Sequence, residues 1–81
     1  MATPYVRRMD YSALQANLGK AIRARREALG HSQESFADFI GMHRAYYSSI
    51  ERGERNLTLM TLARVAEGLG MRLGKLIDQA D

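Results

Sequence analysis

The sequence predicts an all-α protein built from five helices. Apolar residues recur at intervals of three and four along most of the chain, glycines end these periodic segments, and no segment alternates between apolar and polar residues as a half-buried strand does. A chain of 81 residues is long enough for one domain but buries only about 60% of its unfolded surface. We therefore expect a single domain with a thin core over residues 13–81.

The first predicted helix follows an N-terminal arm. Residues 1–12 contain Pro4 and have no sustained period, so we expect an arm outside the helical domain that is either flexible or ordered only in a dimer. Helix one is predicted over about 12–28, and Gly30 ends it. Its apolar stripe, at helical spacing, consists of Leu14, Leu18, Ile22 and Leu29.

The next two helices are short and close together in the sequence. Ser32 is a good N-cap, and Gly41 falls where the end of a helix favours a left-handed residue, so helix two is predicted between them. Helix three begins at Arg44 after a three-residue turn, and Tyr47 and Ile50 form its buried side. The polar and cationic face of helix three consists of Arg44, Ala45, Ser48, Ser49 and Arg52.

Two more helices complete the predicted bundle. Thr58 is a plausible N-cap for helix four, and Gly68 and Gly70 bracket its end. Helix five is predicted over about 73–79, although Gly74 weakens its helix propensity. The apolar face of helix four consists of Leu59, Leu62, Ala63, Ala66 and Leu69, and that of helix five of Leu73, Leu76 and Ile77.

The segment from residue 32 to 53 resembles a known motif. The residues that carry the resemblance are Gln33 with Phe36 and Ala37, Gly41 at the turn, and the ending Ile50-Glu51-Arg52-Gly53. They are similar to the helix-turn-helix of the phage repressor and Cro family, also called the xenobiotic-response-element family. With Arg44, Tyr46 and residues 51–59, the chain is close to the controller proteins of restriction-modification systems. The resemblance spans about 18–77 and implies a lambda-repressor-like DNA-binding domain whose second and third helices form the motif.

Binding to double-stranded DNA would place helix three in the major groove. A guanidinium at its start can donate two hydrogen bonds to guanine, serine hydroxyls can approach base edges, and an alanine can meet a thymine methyl group. The predicted base contacts are Arg44, Ala45, Ser48 and Ser49. The residues predicted to contact the DNA backbone are Arg23, Gln33, His43, Tyr46, Arg52, Arg55 and Asn56. The resemblance also implies a structural ion pair between Arg26 and Glu51.

The expected function is transcriptional regulation by a homodimer on a palindromic operator, as in an autoregulating restriction-modification controller. The C-terminal third has more large apolar residues than so small a core can bury, which predicts a dimer surface. Its members are Leu57, Met60, Leu69, Met71, Leu73, Leu76 and Ile77. Regulation would act through protein concentration, operator spacing or contact with RNA polymerase.

Two other classes of protein remain as alternatives. One is an antitoxin that binds a toxin and its own promoter. The other is a scaffold that shares the fold but has lost DNA binding, which Gln33, Arg44 and Arg55 argue against.

Composition argues against several further functions. Because there is no cysteine, and the two histidines are twelve residues apart, we expect neither a metal site nor a cofactor. His43, Ser48 and Glu51 could be imagined as a hydrolytic set, but no oxyanion loop accompanies them, so we expect no enzyme activity.

No apolar run approaches the roughly 18 residues that span a membrane, and we expect a cytoplasmic protein. The net charge is only +3, but four cations cluster within residues 20–26.

Overall fold

The computed structural model describes residues 11–80, and this part of the chain forms five α-helices without a strand. They are α1 (Tyr11–Ala28), α2 (Gln33–Phe39), α3 (Arg44–Glu51), α4 (Leu59–Gly68) and α5 (Leu73–Ala80). The predicted all-α fold class is confirmed. Since α1 begins at Tyr11, two residues assigned to the arm are helical, and residues 1–10 of the expected arm lie outside the described part.

Local signals in the sequence set the ends of the helices. The hydroxyl of Ser32 accepts a hydrogen bond from the Ser35 amide at 3.0 Å, and the hydroxyl of Thr58 accepts one from the Thr61 amide at 3.0 Å. Both are N-caps that satisfy a backbone donor left free by the first turn of a helix. Gly41 has a φ of 69°, a left-handed conformation that glycine adopts without steric cost. The chain can therefore leave α2 and enter α3 within a few residues.

The core lies where α1 packs against α3 and α5, α2 against α3, and α4 against α5. The buried apolar residues are Ile22, Phe36, Ala37, Tyr47, Ile50, Leu62, Val65, Ala66, Leu69, Leu76 and Ala80. The expectation that Leu59 belongs to the apolar face of α4 is wrong, because this side chain is 68% exposed. The buried side of α4 begins only at Leu62, and it includes Val65, which the sequence did not assign to this face.

Gly19, in the middle of α1, lets this helix approach the end of α3 very closely. A Cβ atom at this position would overlap the carbonyl oxygen of Glu51 and lie 2.8 Å from that of Ile50. Both neighbours are backbone atoms, which cannot move aside as a flexible side chain can. Sequence periodicity gave no sign of this contact, since a glycine inside an amphipathic helix ordinarily only lowers helix propensity.

The substitution Gly19→Ala should therefore destabilise the protein, although alanine is the better helix former. Forcing α1 and α3 apart should cost about 1–3 kcal/mol, as overpacking of a core does. Gly74→Ala in α5 is the matched control, since nothing lies within 4 Å of its added Cβ. This variant should gain up to about 1 kcal/mol. Denaturant unfolding of both variants measures the difference, and a Gly19→Ala protein as stable as wild type would contradict the close approach.

Candidate functional site

The amino-terminal part of α3 is exposed in the motif formed by α2 and α3. Arg44 and Ala45 are exposed, and Ser48 is half-buried one turn further along the same side of the helix. The guanidinium of Arg44 lies 3.6 Å from the carboxylate of Glu34 in α2, and both side chains are largely exposed. An exposed pair of this kind contributes little stability and exchanges readily with other partners. Nothing in the sequence pattern singled out Glu34.

His43 caps α3. Its Nδ1 accepts a hydrogen bond from the amide of Ala45 at 3.3 Å, and its backbone is extended, as expected for an N-cap residue. Histidine is an uncommon cap, and the sequence placed His43 among the residues contacting the DNA backbone. Its exposed ring remains available for such a contact, which stays a prediction.

Behind this face, Glu51 holds the first three helices together. The Arg26 guanidinium donates to it twice, from Nε at 2.7 Å and from Nη2 at 3.0 Å. The side-chain amide of Gln33 donates at 2.9 Å, and the hydroxyl of Tyr47 also donates. Arg26 and Glu51, which the sequence placed in an ion pair, are therefore together, and their side chains are only 7% and 2% exposed. The fourth donor comes from the phenol of a core tyrosine.

Contacts within this cluster shift the pKa of each titratable group so that Arg26 and Glu51 stay charged and Tyr47 stays neutral. Burial raises the pKa of Glu51, but the hydrogen bonds from Arg26, Tyr47 and Gln33, together with the Arg26 charge, outweigh burial and leave that pKa below its ordinary value. Burial and the bond to Glu51 raise the pKa of Tyr47, which keeps the phenol a neutral donor. The hydrogen bond to Glu51 likewise raises the pKa of Arg26. Glu51 is thus an ionised carboxylate with a structural role.

Gln33 connects this cluster to the exposed face of α3. Its Nε2 donates to Glu51, and its Oε1 accepts a hydrogen bond from the hydroxyl of Ser48 at 2.9 Å. The amide nitrogen has two hydrogens and donates one of them to Glu51, so at this half-buried position the second can be donated to a further acceptor. The predicted contact between Gln33 and a DNA phosphate is compatible with this arrangement and stays a prediction.

Ser49 does not lie on the exposed face, and its assignment as a base contact is wrong. It is only 4% exposed, and its hydroxyl donates to the carbonyl oxygen of Tyr46 at 2.6 Å. The same hydroxyl accepts a hydrogen bond from Nε of Arg55 at 2.8 Å. Arg55, in the loop after α3, also lies over the ring of Tyr46, 5.1 Å from its centroid. Periodicity placed Ser49 beside Ser48, but the loop folds back and covers it.

The other residues predicted to contact the DNA backbone lie in or after α3 and on α1, and each has a partner within the protein. Arg52 is exposed and pairs with Glu54 at 3.1 Å. Asn56, in the loop before α4, is hydrogen-bonded to Gln15 of α1. Arg23 lies on α1 and pairs with Glu27.

The basic cluster in residues 20–26 of α1 does not form one continuous surface. Arg26 is buried, and Arg25 donates to the carbonyl oxygen of Leu69 at 3.1 Å.

The predicted dimer surface needs correction. Leu69 and Leu76 are both fully buried in the core of one chain, so neither can contact another subunit. Leu69 is the C-cap residue of α4 and Leu76 lies in α5, and both belong to the core where these helices pack against each other. The half-buried members of the set are Leu57, Met71 and Leu73. Met60 and Ile77 are 81% and 43% exposed.

An apolar groove of about 280 Å³ lies near Ile77, between α1 and α5. The apolar residues that line it are Tyr11, Leu14, Leu18, Leu57, Leu62, Ile77 and Ala80. Tyr11 and Leu14 are 61% and 41% exposed, and the sequence did not assign either to an interface. Their position was missed because an exposed apolar residue on an amphipathic helix looks the same in the sequence as a core residue.

Within residues 11–80 no three acidic or histidine side chains are grouped as a metal ion would require. None of the described helices is long and apolar enough to cross a membrane.

Comparison with known proteins identifies the motif. A helix-turn-helix family model matches residues 22–76, more than half of the chain. The chain belongs to the helix-turn-helix family. It is 44% identical over 62 residues to the control protein C.MunI of a Mycoplasma species, covering 76% of this chain and 84% of that protein. These findings confirm the resemblance to phage repressor and Cro-like regulators that the sequence indicated.

Solved helix-turn-helix structures agree with this assignment. The restriction-modification controller protein C.AhdI from Aeromonas hydrophila superposes with a TM-score of 0.73 at 34% identity, covering 76% of this chain and 94% of that one. The restriction-modification controller protein C.Esp1396I, determined as a tetramer in complex with its natural 35 base-pair operator, has a TM-score of 0.72 at 31% identity. That match covers 83% of this chain and 93% of the controller.

Arg26→Met should strongly destabilise the domain, because it leaves the carboxylate of Glu51 buried without its balancing charge. The expected loss is about 3–5 kcal/mol of unfolding free energy. The control is Arg23→Met, which removes an exposed ion pair three residues earlier and should cost less than about 1 kcal/mol. Urea denaturation of the two variants tests this. Equal stabilities would show that the buried pair does not hold the helices together.

Proposed function

We propose that this chain is a sequence-specific, double-stranded DNA-binding transcriptional regulator that acts as a homodimer on a palindromic operator, and that it is an autoregulating restriction-modification controller. The observation that carries the proposal is the exposed start of α3. Arg44 and Ala45 extend from a capped helix that is anchored from behind by the Glu51 cluster. A short helix fixed in this way can enter a major groove with its first residues toward the bases.

Base reading is proposed for Arg44, Ala45 and Ser48. The side chain of Arg44 is 64% exposed, and the ion pair that it forms with Glu34 is weak enough to be exchanged for two hydrogen bonds to guanine. Ala45 is exposed beside it and can meet a thymine methyl group. Both lie in the first turn, where side chains reach furthest into a groove.

Contacts with the DNA backbone are proposed for residues around this face. Gln33 and His43 are at the starts of α2 and α3, where backbone amides also favour an anion. Arg52, Arg55 and Asn56 follow α3, and the ring of Tyr46 supports Arg55. Arg23 is the outermost of the set, on α1. Each phosphate that these residues neutralise should lower log affinity by about 0.9 per unit of log salt.

The comparisons favour a controller of restriction and modification over other regulators. Relatives of similar length are named control proteins, and C.Esp1396I was determined on operator DNA. Contact with RNA polymerase stays a prediction.

A homodimer is proposed through the apolar groove between α1 and α5. Tyr11, Leu14 and Ile77 expose apolar surface there, and a two-fold axis would place the same groove of each chain against the other. Of the residues that the sequence predicted for the dimer surface, this interface includes Leu57 and Ile77 and excludes the buried Leu69 and Leu76. Two α3 helices related by this axis would read half-sites about one helical turn apart.

Arg44→Ala should weaken binding to the selected operator by about 1–3 kcal/mol and remove the preference at one base pair of each half-site. Lys75→Ala removes the same charge from α5, which packs against α1 and α4, and should leave every base preference unchanged. Both variants are measured by fluorescence anisotropy on duplexes selected from random DNA. An equal loss of affinity on all duplexes would assign Arg44 to the phosphates instead of the bases.

Ile77→Lys should shift the protein toward monomer, because it places a charge in the proposed interface. Leu29→Lys is a closely matched control, since Leu29 is 42% exposed and Ile77 43% exposed. Sedimentation velocity at micromolar concentrations should show a dimer for wild type and for Leu29→Lys only. A dimeric Ile77→Lys protein would place the interface elsewhere.

A further inference from the structure

The hydrogen bonds of Gln33 fix the direction in which the hydroxyl of Ser48 donates. An amide has one donor end and one acceptor end, and each end of Gln33 faces a different partner. Its nitrogen lies 2.9 Å from Oε1 of Glu51, and its oxygen lies 2.9 Å from Oγ of Ser48. The two contacts form a chain from the buried cluster to the exposed face of α3.

The opposite orientation of this amide is excluded by charge. An ionised carboxylate has no proton to donate, and Glu51 already accepts hydrogen bonds from Arg26 and Tyr47. Turning the amide over would place its carbonyl oxygen against the carboxylate, with two acceptors facing each other. The nitrogen of Gln33 must therefore point to Glu51, and its oxygen must point to Ser48.

This orientation leaves Ser48 with no free proton. A serine hydroxyl has one hydrogen and two lone pairs, and here the hydrogen is donated to Oε1 of Gln33. The half-buried Ser48 hydroxyl can then offer only an acceptor to a molecule that approaches α3 from outside. In the major groove, the donors that match an acceptor are the amino groups of adenine N6 and cytosine N4. Guanine and thymine present acceptors there.

Resting on the DNA-binding function proposed above, we propose that Gln33 is a positioning residue that makes Ser48 an acceptor, so that Ser48 selects a base amino group. Ser48 lies one helical turn after Arg44, on the same side of α3, so the two side chains would read neighbouring base pairs. An acceptor on the base would force the hydroxyl to rotate and leave Oε1 of Gln33 without a donor. The free amide hydrogen of Gln33 can still reach a phosphate, so positioning and backbone contact are compatible.

The test compares duplexes that differ in one functional group. The probe is a duplex enriched from random DNA by the wild-type protein, with each base pair of the half-site changed in turn. At the position where Ser48→Ala removes a preference, an adenine is replaced by purine, or a cytosine by pyrimidin-2-one, which deletes only the amino group. The wild-type protein should bind the deleted duplex roughly tenfold more weakly, the loss of one hydrogen bond at a desolvated site.

The second arm frees the hydroxyl of Ser48. In Gln33→Met, Ser48 can rotate and donate, so the affinity ratio between the amino base and a guanine or thymine at this position should fall toward one. If Gln33→Met also removes a phosphate contact, the affinity for every duplex falls by the same factor, and this factor cancels in the ratio. Gln79→Met, an exposed glutamine on α5, is the matched control and should keep the wild-type ratio. Thermal unfolding monitored by circular dichroism shows that each variant is folded.

Two results would overturn the proposal while leaving the DNA-binding function intact. One is wild-type binding that is insensitive to deletion of the amino group at every position. The other is a Gln33→Met protein that is folded and keeps the full wild-type ratio. Failure of the proposed function would look different, because the wild-type protein would then enrich no duplex from the random pool.

Discussion

Glu51 is a buried negative charge at the carboxyl end of α3, where the helix dipole makes a carboxylate unfavourable. Its charge is balanced by Arg26 from α1, and its remaining acceptor capacity is used by Gln33 from α2 and Tyr47 from α3. Hydrogen bonds are directional, so they set the positions of the three helices more narrowly than apolar contact does. Gly19 is part of the same constraint, since only a residue without a Cβ lets α1 approach the backbone beside Glu51.

This arrangement also decides which cations remain available at the surface. Arg25 and Arg26 look like part of a basic patch in the sequence. In the fold, the half-buried Arg25 donates to the carbonyl oxygen of Leu69, and the buried Arg26 donates to Glu51. The cations that lie in α3 or directly after it are Arg44, Arg52 and Arg55. Which cations reach the surface is therefore set by the fold as well as by the local sequence.

The helices and their order could be predicted from the sequence because their ends are coded locally, by caps such as Ser32 and Thr58 and by a glycine such as Gly41. The inner face of α3 was predictable from the spacing of its apolar residues, Tyr47 and Ile50, both of which are buried. Ser49 was misplaced because its neighbour Arg55 returns from a loop, and helical periodicity contains no information about loops. Gly19 and the division of apolar residues between core and surface likewise depend on which helices meet.

The hydrogen bond between Gln33 and Ser48 has a consequence for re-engineering α3. The side chains of Arg44 and Ala45 are exposed and are not part of the core cluster, so each could be replaced by another residue without changing the packing of α3. Ser48 cannot be exchanged independently, because the direction in which its hydroxyl donates is set by Gln33 of α2. A library that randomises α3 alone would sample this position against a fixed glutamine, and new specificities there should emerge more readily when codons 33 and 48 are diversified together.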